Sequence, residues 1–264
     1  MAAATPALWT ASSRGLTEEV RQLLAEEVDI EEPGGPFKST PLQQAALHGH
    51  EQITRLLLEH QADVSATAKN GATVLSWAVL GRHASVARLL IEHQADVSNK
   101  NKLGVTALHV AARGGHEPVT RLLIEHQADV SAQDISGATA LHDSARAGHE
   151  TVTRLLLAHG ADLSAKDGAG WTALHFAASS GREAVTLLLL DEGADEQAQD
   201  RAGMTPEHLA VAGIHHQLAA ILQTVRVRRA KCVAFAMGQH ERVGAGSQVQ
   251  ELDPGVVRMV LERV

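Results

Sequence analysis

The apolar and polar positions of this chain follow a pattern that restarts every 33 residues, as in the step from Thr40 to Thr73. The opening threonine recurs as Thr40, Thr73, Thr106, Thr139, Thr172 and Thr205, and a closing aspartate as Asp63, Asp96, Asp129, Asp162 and Asp195. Within each period, Ile53, Leu56 and Leu57, or Val119, Leu122 and Leu123, have the i, i+3, i+4 spacing of a helix with one buried stripe. Before that stripe, a Leu-His-x-Ala-Ala run after the threonine predicts a first, shorter helix whose alanines let a neighbour approach closely. The threonine is its N-cap, because the hydroxyl can accept an orphan backbone N–H. Pro41 suits the first helical position. Gly49, Gly115 and Gly148 interrupt the first helix, and Glu51, Glu117 and Glu150 open the second, where the helix dipole favours acids. Pro118 is tolerated in that first turn, and Gly160 and Gly193 are left-handed terminators. A fixed period of this length marks small stacked units that bury their faces only on one another.

The two ends depart from the pattern. In the first unit Leu8, Ala11, Gly15, Leu23, Leu24 and Asp29 fit, but the spacing to Leu42 is one residue longer, and Trp9 stands where later units place histidine. A turn-rich connection, Pro33-Gly34-Gly35-Pro36, follows. In the last unit Glu207 replaces the core leucine and Ile214 a turn glycine, which reads as a closing cap. The expected organisation is a divergent unit and its connection over 1–38, regular units over 39–225, and an extension over 226–264.

Composition narrows the function classes. The formal charge is −8; residues 226–264 carry +3, so the array carries −11, which argues against a phosphate-backbone partner. Aromatics are 2% of the chain and there is one cysteine, Cys232, so no internal disulfide framework is available and a reducing compartment is expected. Met1 to Trp9 lacks the basic start and apolar run of a signal peptide, and runs such as Cys232 to Met237 are too short to span a bilayer. The expected location is cytoplasmic or nuclear, with no membrane and no nucleic acid as partner.

Thr40-Pro41-Leu42, Thr106-Ala107-Leu108-His109, Gly115-His116 and Gly160-Ala161-Asp162 resemble the ankyrin repeat signature, over about seven units spanning residues 5–225. The resemblance implies an all-α repeat solenoid: antiparallel helix pairs stacked side by side, with projecting β-hairpin loops. It also implies binding of other proteins along the fingers and the inner helices. Gln61, Gln94 and Gln127 replace the terminating glycine, at a cost of up to about 1 kcal/mol each if the backbone there stays left-handed. Gln43 and Ser76 replace the motif histidine, and Arg82 the turn glycine.

The 16 histidines invite a metal or catalytic reading, but their register assigns most of them. His109, His142, His175 and His208 fill the slot beside the capping threonine, and His50, His116 and His149 the slot after the turn glycine. Equivalent positions on packed helices lie about 8–10 Å apart, whereas zinc ligands converge to about 2 Å from one ion. No His-Glu-x-x-His, Gly-x-Ser-x-Gly, phosphate loop or paired-cysteine motif occurs. No catalytic residue, metal or cofactor is therefore expected.

The expected activity is a non-enzymatic protein–protein scaffold, a monomeric array that binds through its concave face and fingers. The resemblance puts Leu103, Val105, Ile135 and Trp171 on the fingers, and Trp77, Asp143 and Phe176 on the inner-helix row. Leu80, Arg113 and Arg146 lie one turn on. Trp77, Trp171 and Phe176 are candidate anchors, since tryptophan is enriched at hot spots, while packing between fingers is the alternative, favoured for Phe176. Residues 226–264 have two readings: a cover for the last unit, or a docking segment that would make the chain a substrate receptor of a ubiquitin ligase. Leu252-Asp253-Pro254 before an apolar Val256-to-Leu261 stretch weakly resembles the start of an F-box-like segment.

Overall fold

The computed structural model describes residues 6–243 of the 264-residue chain. Among the described residues there are fourteen α-helices and no extended strand, arranged as consecutive pairs. The first three pairs are α1 (Ala7–Arg14) with α2 (Thr17–Ala25), α3 (Pro41–His48) with α4 (Glu51–Glu59), and α5 (Val74–Leu80) with α6 (Ala84–Glu92). There follow α7 (Ala107–Gly114) with α8 (Glu117–Glu125), α9 (Ala140–Ala147) with α10 (Glu150–Ala158), and α11 (Ala173–Ser179) with α12 (Glu183–Asp191). The last pair is α13 (Pro206–Ala212) with α14 (His216–Val243). First helices pack on first helices and second helices on second helices, so each pair is a slice of a two-layer stack.

Capping fixes where each first helix begins. Thr40, Thr73, Thr106 and Thr205 each accept the backbone N–H three residues on. The return bond comes from the motif side chain: His109, His142, His175 and His208 accept the threonine N–H at Nδ1 over 3.0–3.2 Å. Gln43 does the same with its amide oxygen at 2.9 Å. With Nδ1 accepting, Nε2 carries the proton and donates to the next loop. His109 reaches the Ala138 carbonyl at 3.1 Å, His142 that of Trp171 at 3.1 Å, and His175 that of Met204 at 3.2 Å. One side chain thus both caps its helix and ties it to the next slice. Trp9, in the same slot, donates from Nε1 to the Ser39 hydroxyl at 3.1 Å.

The turn between paired helices needs glycine for two reasons. Gly115 has φ 68°, and a Cβ there would lie 2.5 Å from the ring of His149 in the next pair. His149 Nε2 in turn donates to the Arg113 carbonyl at 3.1 Å. Gln61, Gln94 and Gln127 do keep left-handed backbone, at φ 64°, 66° and 64°, as do Arg82 at 67° and Ile214 at 64°. The stack holds that conformation although these residues carry side chains.

The core is a ladder of Leu42, Leu75, Leu108, Leu141 and Leu174 against Ile53, Leu57, Leu90, Leu123, Leu156 and Leu189. Leu56, expected in the buried stripe, is only half-buried, and Thr54 lies in the core beside Leu57 and Leu58. Thr120, Thr153 and Thr186 repeat that buried position. Thr54, Thr120 and Thr153 donate their hydroxyls to the carbonyl one turn back at 2.9–3.1 Å, which lets a polar group sit where the stripe demands an apolar one.

The loops project as fingers. Only two antiparallel bridges are formed within them among the described residues, Gly34 with Ser39 and Thr67 with Thr73. Their shape comes instead from side-chain turns: Asp134, Asp167 and Asp200 each accept two backbone N–H groups at 2.8–3.0 Å, and Asn101 does so at 2.9 and 3.0 Å. Single backbone bonds link finger to finger, from Lys69 to Phe37, Lys102 to Asn70, Ile135 to Leu103, Gly168 to Ser136 and Arg201 to Ala169.

Helix α14 continues for 28 residues and passes through Val225 without a break, so the expected boundary at 226 lies inside a helix. Leu218, Ala219 and Leu222 are buried on it. Beyond them Arg226 pairs with Glu207 at 3.0 Å, which accounts for an acid in the leucine position of α13. Arg229 pairs with the buried Glu196 and donates to the Ala194 and Leu190 carbonyls at 3.0 Å each. This arginine thus ties α14 to the end of α12 and to the loop that follows it. The stretch expected as a helix near Val256 lies outside the described residues. No helix among those described is long and apolar enough to cross a membrane.

Candidate partner-binding face

The fingers and the first helices form one continuous face, and the sequence candidates divide on it by exposure. Leu80, Leu103 and Ile135 are open to solvent at 58%, 56% and 73%, joined by Phe37 at 53%, which the sequence reading missed. Phe37 was hidden because the first unit is one residue out of step and its finger was not aligned with the others. Arg113 and Arg146 are also exposed, and Trp171 is half-buried. Trp77, Asp143 and Phe176 of the inner-helix row are buried, and so is Val105 at the base of its finger.

Two clusters result. Around the fifth and sixth pairs, Phe176 packs edge-on against Trp171 at 5.0 Å between ring centres, and the Arg146 guanidinium lies 4.2 Å above the Phe176 ring. Trp171 Nε1 donates to Asp200 Oδ2 at 2.9 Å, which fixes the indole between two fingers. Asp143, 2% exposed in its side chain, accepts from Arg113 through both oxygens at 3.0–3.2 Å. These residues hold neighbouring slices together and show a partner only their outer edges.

Around the third pair lies an apolar cleft of about 250 Å³. Phe37, Trp77, Leu80, Val105 and Val110 line it, with Asn70 and Asn101 at its rim. Phe37 meets Trp77 edge to face at 6.1 Å. Trp77 is 8% exposed, and its Nε1–H has no hydrogen-bond partner among the described residues. A larger cleft of about 470 Å³ lies between the α10–α11 loop and the α12–α13 loop, but it is bounded by Lys166, Asp195, Gln197 and Gln199 and is bridged by Lys166 donating to the Gln199 carbonyl at 2.9 Å. Size alone would favour that cleft; the apolar, aromatic lining favours the smaller one.

His109, His142, His175 and His149 each join one slice to its neighbour. Burial pushes the pKa of His142 and His175 below the ordinary imidazole value, the backbone carbonyls opposing it. Burial also lowers His116, aided by the nearby Arg82 charge. Among the described residues no group of three or more His, Cys, Asp or Glu side chains could hold a metal ion.

Helix pairs, capping boxes and linked fingers define a helical repeat protein. A family model described as ankyrin repeats (3 copies) matches residues 8–101, 95–167 and 164–228. The chain belongs to the ankyrin repeat family, whose repeats mediate protein–protein interaction. It is also similar to palmitoyltransferase AKR1 of Lachancea kluyveri, at 44% identity over 52 residues. That match covers 20% of this chain and 7% of the palmitoyltransferase.

Proposed function

We propose that this chain is a non-enzymatic scaffold of seven ankyrin units that holds a protein partner on its finger-and-inner-helix face, the concave side in this family. The observation that carries the reading is the placement of exposed large apolar side chains. Phe37, Leu80, Leu103 and Ile135 all lie on that one face, three of them on successive or near-successive fingers. Contiguous exposed apolar surface on a stable array marks an interaction site. In this reading units two to six supply the face, the first unit closes one end behind Trp9, and α14 closes the other through Arg226 and Arg229.

The test is an affinity capture from extract with the intact chain and with a Leu103→Glu, Ile135→Glu variant. Both positions are solvent-exposed, so the thermal midpoint should stay within the small range of surface changes, about 0.5 kcal/mol per site. The expected result is loss of the captured proteins from the variant. Recovery of the same proteins by a folded variant would show that the face is not the binding surface.

A further inference from the structure

We infer that the cleft at Trp77 is the receptor for an acidic peptide segment with one large apolar anchor, an inference that rests on the scaffold reading and specifies its partner. The cleft has room for about one bulky side chain, walled by Phe37, Leu80, Val105 and Val110. At its base lies the largely buried Trp77, so that an apolar anchor would rest on an aromatic floor.

Charge selects the occupant. Each finger at the cleft carries an exposed lysine beside its lining residue: Lys38 next to Phe37, Lys69 next to Asn70, Lys102 next to Asn101. None of the three makes an ion pair among the described residues. The fingers and first helices here, residues 33–50, 64–83 and 97–116, contain no Asp or Glu at all. The later fingers carry Asp134, Asp167 and Asp200 at the turn position; here that register holds Asn101, which accepts the equivalent backbone N–H groups without a charge, and Ala68, near which Asn70 accepts the Ala72 N–H. In a chain of net charge −8, this segment of the face is positive, and nothing in the turn geometry requires it to be. An acidic peptide is steered to it and a basic one is repelled.

The test selects short random peptides displayed on phage against the full-length chain, then measures the enriched peptides by fluorescence anisotropy. The expected peptides place Asp or Glu on both sides of one large apolar residue. Their affinity should fall at least ~10-fold in the Lys38→Glu, Lys69→Glu, Lys102→Glu variant and weaken in high salt, as a screened charge interaction does. Trp77→Phe, which keeps an aromatic ring but reshapes the floor of the cleft, should weaken binding several-fold, with circular dichroism showing the fold retained. Peptides without acids, or binding indifferent to the lysine reversal, would overturn the inference. Peptides that depend on Leu103 and Ile135 but not on the lysines or Trp77 would overturn it and leave the scaffold reading standing. No enrichment anywhere on the chain would count against both, and a self-association dissolved by the lysine reversal would give the cleft to a second copy and overturn it.

Discussion

His142 and His175 show how much of this fold depends on the protonation of single rings. Each accepts a backbone N–H at Nδ1 and donates from Nε2, an arrangement open only to neutral imidazole. Burial holds both pKa values below the ordinary one, so the folded chain binds fewer protons than the unfolded chain in mildly acidic solution. Their contribution is therefore complete above about pH 6.5 and is lost as pH falls below it toward the folded-state values. Gln43 fills the same slot with an amide that does not titrate: it accepts from Thr40 at 2.9 Å and donates to the Ala66 carbonyl at 2.9 Å. The double variant His142→Gln, His175→Gln should keep its thermal midpoint near neutral pH and lose less of it on acidification than the parent. An unchanged acid slope in differential scanning calorimetry would place the pH dependence on other groups. The slot was legible in the sequence because it recurs in register. The buried Thr54 row was not, since threonine carries no hydrophobic signal and its hydroxyl is satisfied only by the helix's own carbonyl.

At the scale of elements, the joint between α5 and α7 lacks the bridge that the motif histidine makes elsewhere, and among the described side chains only Arg82 donates across it, to the Gly114 carbonyl at 2.9 Å. Ser76 caps through Thr73 at 3.1–3.2 Å but is too short to reach the next loop, where His109 and His142 make that bridge in their own slices. Arg82 holds φ 67° in place of glycine at the same joint, and the Trp77 donor beside it is unpaired. Hydrogen exchange should open α5 and α6 before their neighbours, and Ser76→His should slow that exchange and stabilise the array by about 1 kcal/mol. Equal or faster exchange in the variant would mean that the cleft, rather than the missing bridge, sets the stability there. The helix pairs themselves were readable from the threonine period and the i, i+3, i+4 stripe, because local capping and stacking agree on the same boundaries. The cleft was not readable, since it arises from how Phe37, 40 residues before Trp77, folds back across a finger.

Across the whole molecule, the stack separates its tasks. The second helices and the leucine ladder bury the core, both ends are closed by particular side chains, and the fingers present what is left exposed. Register assigns the sequence candidates to the finger and inner-helix rows, and exposure sorts them: Leu80, Leu103 and Ile135 project, whereas Val105, Asp143 and Phe176 are buried. Periodicity gives the face a side chain is on and not the depth at which a neighbouring loop covers it. The positive segment around Lys38, Lys69 and Lys102 was hidden within an acidic total, and only the stacking that brings three fingers together makes it one surface.

The most direct measurement is hydroxyl-radical footprinting of the intact chain, alone and bound to a captured partner. The account predicts protection of Phe37, Leu80, Leu103 and Ile135 on binding, with the exposed Leu187 on α12 unchanged. Protection confined to α12 and the other second helices, with the fingers still oxidised as in the free chain, would contradict it.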